Sequence, residues 1–242
     1  MCNPDMALNT KYRTNQPEIM DDFALEGEIL RDALDKIAMI NKLLGGNQLT
    51  LKGVKQLIQN ISKTNEIVIV DVGCGNGDML RTIADFGINN NINFNLIGID
   101  ANSFTIAHAA QLSQKYTNIT YRCEDIFDKL FNELKYDIVL CTLTLHHFKD
   151  DEIISLLRVF HTNSAVGIVI NDLHRSAIAY RLFQCLCFVF QLNDMSKKDG
   201  LTSILRGFKK EELNRFSQKL NFKKYSIQWR WAFRYQWIIS KI

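Results

Sequence analysis

At 242 residues, 47% hydrophobic and 23% charged, the chain is long enough for one large domain or two small ones with a real core. A formal net charge of +3, scattered along the sequence, argues against a nucleic-acid partner. Six cysteines, at positions 2, 74, 123, 141, 185 and 187, form no CxxC pair and mostly sit in apolar runs, so they read as reduced, packed thiols of a cytoplasmic protein, not a zinc or disulfide framework.

The first 22 residues, MCNPDMALNTKYRTNQPEIMDD, are polar and lack an apolar signal core, which speaks against export. Residues 25–44 then repeat Leu30, Ala33, Leu34, Ile37, Ile40 and Leu44 at helical spacing, with Gly45 and Gly46 as the stop. Thr50 is the expected cap of a second helix carrying Leu51, Val54, Leu57, Ile58 and Ile61. From there the pattern changes. Apolar runs at 67–72, 94–99, 119–122, 136–142 and 165–170 alternate with helical patterns at 78–86, 104–115 and 151–160. That alternation implies parallel pairing in a doubly wound α/β sheet. The stretch Ile178–Leu192 is apolar but too short to span a bilayer and carries Arg181, Gln184 and Gln191. It reads as a buried or lid-forming helix, with an interfacial helix touching lipid as the alternative. Between Tyr225 and Ile239 every odd residue is apolar, which is strand periodicity over too great a length for one strand. Two antiparallel strands turning near Arg230–Ala232 fit, although no Gly, Pro or Asn marks the turn.

The glycines after the first strand decide the ligand. A dinucleotide fold wants G-x-G-x-x-G, and counting from Gly73 the third glycine is replaced by Asp78, whose charge would repel a pyrophosphate. A P-loop fails as well, since no Gly-Lys-Ser/Thr follows. What stands is Asp71-x-Gly73-x-Gly75-x-Gly77. A carboxylate beside nearly bare backbone suits a ligand with a sulfonium and an amino group.

This stretch resembles motif I of class I S-adenosylmethionine-dependent methyltransferases. The resemblance extends through NLIGIDAN, YRCEDIFD and YDIVLCTLTLHHF and covers roughly residues 65–172. It implies a mostly parallel, seven-stranded, Rossmann-like sheet ending in an antiparallel hairpin. It also implies S-adenosylmethionine as cofactor, held by Asp71, Gly73, Cys74, Gly75, Gly77, Asp100, Ala101, Asp125, Ile126 and Thr142. Asp100, 29 residues after Asp71, would take the ribose hydroxyls. Asp125 would take the adenine amino group, with Glu124 and Asp128 as competitors. INKLLGG, TLHHF, INDLHRS, DGLTSILRGF and the Trp-rich end are similar to small-molecule methyltransferases related to the ubiquinone/menaquinone C-methyltransferases, some of polyketide or pigment pathways.

On that resemblance residues 1–62 form an N-terminal helical lid, residues 63–242 the methyltransferase domain, and about 176–205 a lid-like helical insertion. Leu182, Phe183, Phe188 and Phe190 would line an apolar acceptor pocket, and Arg175 and Arg206 would bind an acidic group on a small-molecule acceptor. A base for the acceptor's proton is sought among His146, His174 and His147, in that order; neighbouring histidines usually diverge, so at most one of the first and last should face the acceptor. His108 and His161 read as structural. The position after the fourth strand reads Cys141-Thr142-Leu143-Thr144, without the Pro-Pro loop of base amino-methylases; the Pro-Cys nucleophile of cytosine-C5 enzymes is missing too. The carboxylates that catechol-type enzymes place there are also missing, so no metal is expected. The rival reading is a non-catalytic protein that retains the cofactor fold, and a lipid-linked or protein acceptor is a further alternative. Oligomeric state leaves no mark in the sequence.

Overall fold

The computed structural model describes residues 8–59, 61 and 65–242. Cys2 and the expected domain boundary between 62 and 63 lie outside the described residues. Two helices open the chain: α1 (Glu28–Leu43) and α2 (Gly46–Ile58). Then β1 (Ile67–Val72), α3 (Asp78–Asn90), β2 (Phe94–Asp100), α4 (Ser103–Leu112), β3 (Ile119–Cys123), α5 (Lys129–Glu133), β4 (Tyr136–Thr142), α6 (Asp150–Asn163) and β5 (Ser164–Leu173) alternate. Helices α7 (Ala177–Val189), α8 (Asp194–Arg206) and α9 (Lys210–Lys219) lead to the hairpin β6 (Lys224–Arg230) and β7 (Arg234–Ser240).

Among the described residues the sheet has seven strands in the order β3-β2-β1-β4-β5-β7-β6. The first five are parallel, and β7 runs antiparallel to both β5 and β6. Each central strand is buried on both faces, which is why it reads as continuous apolar sequence and not as an alternation. In β1, Ile67 and Ile69 join α2 and α3 in one core, while Val70 and Val72 join α6 and α9 in the other. Ile138 and Leu140 of β4 divide from Val139 and Cys141 in the same way.

Four details depart from the sequence reading. Gly45, at φ +77°, ends α1 as expected, but α2 restarts at once at Gly46. Thr50 therefore lies inside the helix; it is fully buried, and its hydroxyl meets Thr142 Oγ1 at 3.2 Å and Asn171 Nδ2 at 3.0 Å. It is a contact to the sheet, not a cap. Helix α2 packs on β5 and supplies Leu51, Val54, Leu57 and Ile58 to the core, so of the N-terminal pair only α1 lies over the site described below. Strand β5 runs on to Leu173, because β7 pairs Tyr235 with Asp172 and Arg234 with Leu173. The hairpin turns at 231–233 with Ala232 and Phe233 both at positive φ, a conformation normally left to Gly or Asn.

Cys74, Cys141 and Cys187 are buried and free, and burial pushes the Cys74 and Cys141 thiols well up; Cys123 and Cys185 are free but exposed, not packed. No helix among the described residues is long and apolar enough to cross a membrane.

Candidate active site

A cavity of about 1100 Å³ opens at the carboxyl ends of β1, β2, β4 and β5. That is where parallel α/β sheets bind ligands, and the volume holds a nucleoside cofactor beside a second molecule.

One end is acidic. Asp71, Gly73, Cys74, Gly75, Asp78, Asp100 and Ala101 line it. Asp71 is 2% exposed, and its Oδ1 has no hydrogen-bond partner among the described residues. Burial raises its pKa well above the ordinary carboxylate value, and the charges of Asp78 and Asp100 push it further. Burial also raises the pKa values of Asp78 and Asp100. Three carboxylates disfavoured in their charged form make a corner that favours a cation. Gly75 sits at φ +52°, and a Cβ there would meet nothing closer than 3.8 Å, so its bare backbone faces open cavity. Asp100 accepts from Gly75 N at 3.3 Å and Asn102 N at 3.1 Å, which fixes its carboxylate at the end of β2. Asp125 is held through Oδ1 by Phe127 N at 2.9 Å, and Glu124, Ile126 and Phe127 line the wall beside it. Of the two competitors, Glu124 lines the cavity and Asp128 does not. An orphaned carboxylate oxygen, an open glycine and a fixed acid fit a cationic nucleoside such as S-adenosylmethionine.

The other end holds the histidines. Leu143, at φ +55°, turns the chain after β4, and the 3-10 turn Leu145–His147 follows. His146 is 2% exposed; its Nδ1 lies 2.7 Å from Asp172 Oδ1 at the end of β5. An ionised carboxylate only accepts, so Nδ1 carries the proton and Nε2 is left basic. That Nε2 has no hydrogen-bond partner among the described residues. Burial opposes ionisation of Asp172, but His146 outweighs it and holds the carboxyl below its ordinary range.

His147 Nδ1 lies 2.6 Å from Asp21 Oδ1. Burial works against the charge on Asp21, yet hydrogen bonds from His147 and Arg206 drive its pKa down strongly. The two imidazoles have centroids 4.4 Å apart, and their Nε2 atoms lie 3.7 and 3.9 Å from the two oxygens of Glu18. Both therefore face the cavity, contrary to the expected divergence, because the tight 3-10 turn and the two carboxylates aim them the same way. Glu18 is 6% exposed, and burial raises its pKa. Glu18, His146 and His147 are also the one cluster among the described residues whose ligand-type atoms lie within 4.8 Å of one another, as a metal ion would require. Arg206 Nη1 already stands 3.6 Å from Glu18 and 2.7 Å from Asp21.

The remaining expected site residues divide. Thr142, Leu182, Phe183 and His174 line the cavity; burial, with Lys209 and Arg175 nearby, lowers the pKa of His174, whose Nδ1 accepts from Trp229 at 3.1 Å. Gly77 does not line it: at φ +77° it caps α3, and a Cβ would fall 2.0 Å from the Tyr121 hydroxyl. Phe188 is 86% exposed on the outer side of α7, and Phe190 packs with Ile40, Cys187 and Leu192. Arg175 is fully buried, away from the cavity, in a two-pronged pair with Glu212 and in bonds to the carbonyls of Thr10, Lys11 and Gly207. Arg206 does reach the wall, but Asp21, Glu18 and the His146 and His147 carbonyls consume its donors. Neither arginine is free to bind an acceptor. His108 and His161 stand apart, the first on Asp35 and the second stacked on Phe222.

The methyltransferase domain family matches residues 63–206, more than half of the chain. The chain belongs to that family. The ubiquinone biosynthesis O-methyltransferase of Rickettsia typhi is 28% identical over 130 residues, which are 54% of this chain and 49% of that protein. The chain thus spans about half the length of that curated relative. In fold it is similar to the plantazolicin methyltransferase BpumL in complex with SAH, with a TM-score of 0.65 and 16% identity over 86% of this chain and 89% of that one. It is similar also to magnesium protoporphyrin IX methyltransferase (ChlM) from Synechocystis PCC 6803 with bound SAM, with a TM-score of 0.55 and 14% identity over 91% and 88%. The fold expected from motif I is the fold observed.

One wall of the cavity is concealed in the sequence. Residues 13–21 form a strap across the cavity. Arg13 bonds to Asp150 and to the carbonyls of His146, Phe148 and Arg206. Ile19 N and Met20 N donate to Asp199, and Glu18 accepts from Ser203 at 2.7 Å. A polar stretch with no periodicity carries no signal for these partners, which are 133 to 193 residues away. Arg234 also lines the cavity, and its place inside an apolar strand pattern hides it in the sequence.

Proposed function

We propose that the chain is an S-adenosylmethionine-dependent methyltransferase acting on a small, apolar or aromatic acceptor, at oxygen or carbon. Bound S-adenosylmethionine would supply an electrophilic methyl group on a cationic sulfur. Asp71 and Gly75 would receive its cationic portion, Asp100 the ribose hydroxyls, and Asp125 the adenine. Ile37, Phe183, Leu186, Leu192 and Phe233 give the acceptor an apolar chamber that keeps water away.

The observation that carries this reading is His146. Its Nε2, 3.7 Å from Glu18 and without a hydrogen-bond partner among the described residues, lies in the wall of the same cavity as the acidic corner, with Asp172 holding the proton on Nδ1. On this reading His146 accepts the acceptor's proton at Nε2, and Asp172 stabilises the imidazolium that results. His147, tied to Asp21 and more exposed, orients; His174 stands behind Trp229. Arg206 supplies the positive charge among Glu18 and Asp21, so the site works without a metal. A cytosolic setting fits the free thiols.

Calorimetric titration with S-adenosylmethionine, followed by incubation of candidate phenols with methyl-deuterated cofactor and mass analysis, tests the proposal. Binding and a labelled methyl on an acceptor are expected. Binding without transfer to any acceptor would favour a non-catalytic cofactor-binding protein, and no binding would sink both.

A further inference from the structure

Arg234 is the first residue of β7, opposite Leu173 at the end of β5, and it lines the cavity. It is 4% exposed, and its Nε and Nη1 are enclosed without a hydrogen-bond partner among the described residues. Among the described residues no hydrogen bond or ion pair uses this group. Asp172 is the carboxylate whose charge it feels, but Asp172 spends its oxygens on His146 Nδ1, His146 N and Leu173 N. The cross-strand neighbour Arg230 turns away to Gln228 and Gln236. Burial lowers the Arg234 pKa to about 10, which leaves the guanidinium charged at neutral pH. An enclosed charge with idle donors is costly to a fold, and its natural complement is a planar oxyanion.

The oxyanion does not belong to the cofactor corner. Between β1 and β7 stand β4 and β5, so Arg234 lies three strand spacings, on the order of 14 Å, from Asp71. Trp231, Phe233 and His174 surround the same part of the wall.

We infer that Arg234 is the anion-recognition residue of the acceptor pocket, and that the acceptor is an aromatic, largely apolar molecule presenting a carboxylate or an ionised phenol to the β5–β7 edge. The inference rests on reading this cavity as an acceptor site. It replaces Arg175 and Arg206, the two arginines that sequence alone put forward.

The test uses the full chain, with and without SAH, titrated calorimetrically near neutral pH, where Arg234 is charged, with 2-naphthoate, 1-nitro-2-naphthol on either side of its near-neutral ionisation, and neutral 2-naphthamide. The wild-type protein should prefer an anionic probe over the amide by about tenfold or more, and whichever anion wins names the source. Arg234→Gln and Arg234→Met should abolish that preference while binding the amide and SAH as before; Arg234→Lys should keep part of it. Because the guanidinium has no ion-pair or hydrogen-bond partner among the described residues, Arg234→Met should melt at or above the wild-type temperature. Equal binding of all probes, no anion binding at all, or a preference that survives in both variants overturns the assignment. So does a fall in melting temperature, which would make Arg234 structural, or a loss of SAH affinity, which would make the anion the cofactor's own carboxylate. Failure of the wild-type protein to bind SAH while it still prefers the anion would instead overturn the methyltransferase reading and leave Arg234 in place.

Discussion

His146 Nδ1 lies 2.7 Å from Asp172 Oδ1, and each side chain is only 2% exposed. This contact ties the turn after β4 to the end of β5 and sets which nitrogen of the imidazole is basic. Replacing His146 by Gln should lower the turnover of an identified acceptor about a hundredfold, within the usual range for a lost general base, and leave SAH affinity unchanged. Asp172→Asn should act in the same direction by releasing the tautomer. Turnover that survives both substitutions would assign the base elsewhere or remove it.

Asp100 is held by Gly75 N and Asn102 N, and its carboxylate faces the cavity. Asp100→Ala should weaken S-adenosylmethionine binding by about 1–3 kcal/mol, the scale of hydrogen bonds to a charged partner. Calorimetry reads this directly; an unchanged affinity would place the ribose on another residue.

The acidic corner gives binding a pH dependence with a definite sign. Asp71, Asp78 and Asp100 all hold their protons to higher pH than a free carboxyl, through burial first. A cation entering beside them lowers those pKa values again, so binding releases protons and affinity climbs as pH rises through the free-state values. Titrations in buffers of different ionisation enthalpy should show proton release. Proton uptake would contradict the charge complementarity proposed for this corner.

Arg175 should behave as the opposite of Arg234. It is fully buried and paired through two nitrogens with Glu212. Glu212→Gln should cost about 3–5 kcal/mol in a denaturation experiment, because it strands a buried charge. Cofactor and anion binding should remain as in the wild type. A selective loss of anion binding would return Arg175 to the acceptor site.

Chelation tests the metal-free reading of Glu18, His146 and His147. Dialysis against EDTA should leave S-adenosylmethionine affinity and methyl transfer unchanged, since Arg206 already places a guanidinium 3.6 Å from Glu18. A loss restored by one divalent ion would assign that cluster to a metal.

The sequence by itself determined the sheet and the acidic corner of the cavity at its carboxyl edge. Both are written in local terms: runs of β-forming residues, and an acid and three glycines within seven positions between strand and helix. Even the turn at Ala232 was legible from the strand pattern that flanks it, although its positive φ values were not. Only the tertiary structure decided the opposite end of the cavity. Its parts come from the 13–21 strap, the β4 turn, the end of β5, α8 and the start of β7, and a side chain's partner at such distances depends on how the elements pack. Three arginines that look alike in sequence show it: Arg175 is neutralised by Glu212, Arg206 by Asp21 and Glu18, and Arg234 forms no ion pair among the described residues because Asp172 already serves His146. Which charge is left over is a sum over the folded neighbourhood, and no local pattern records it.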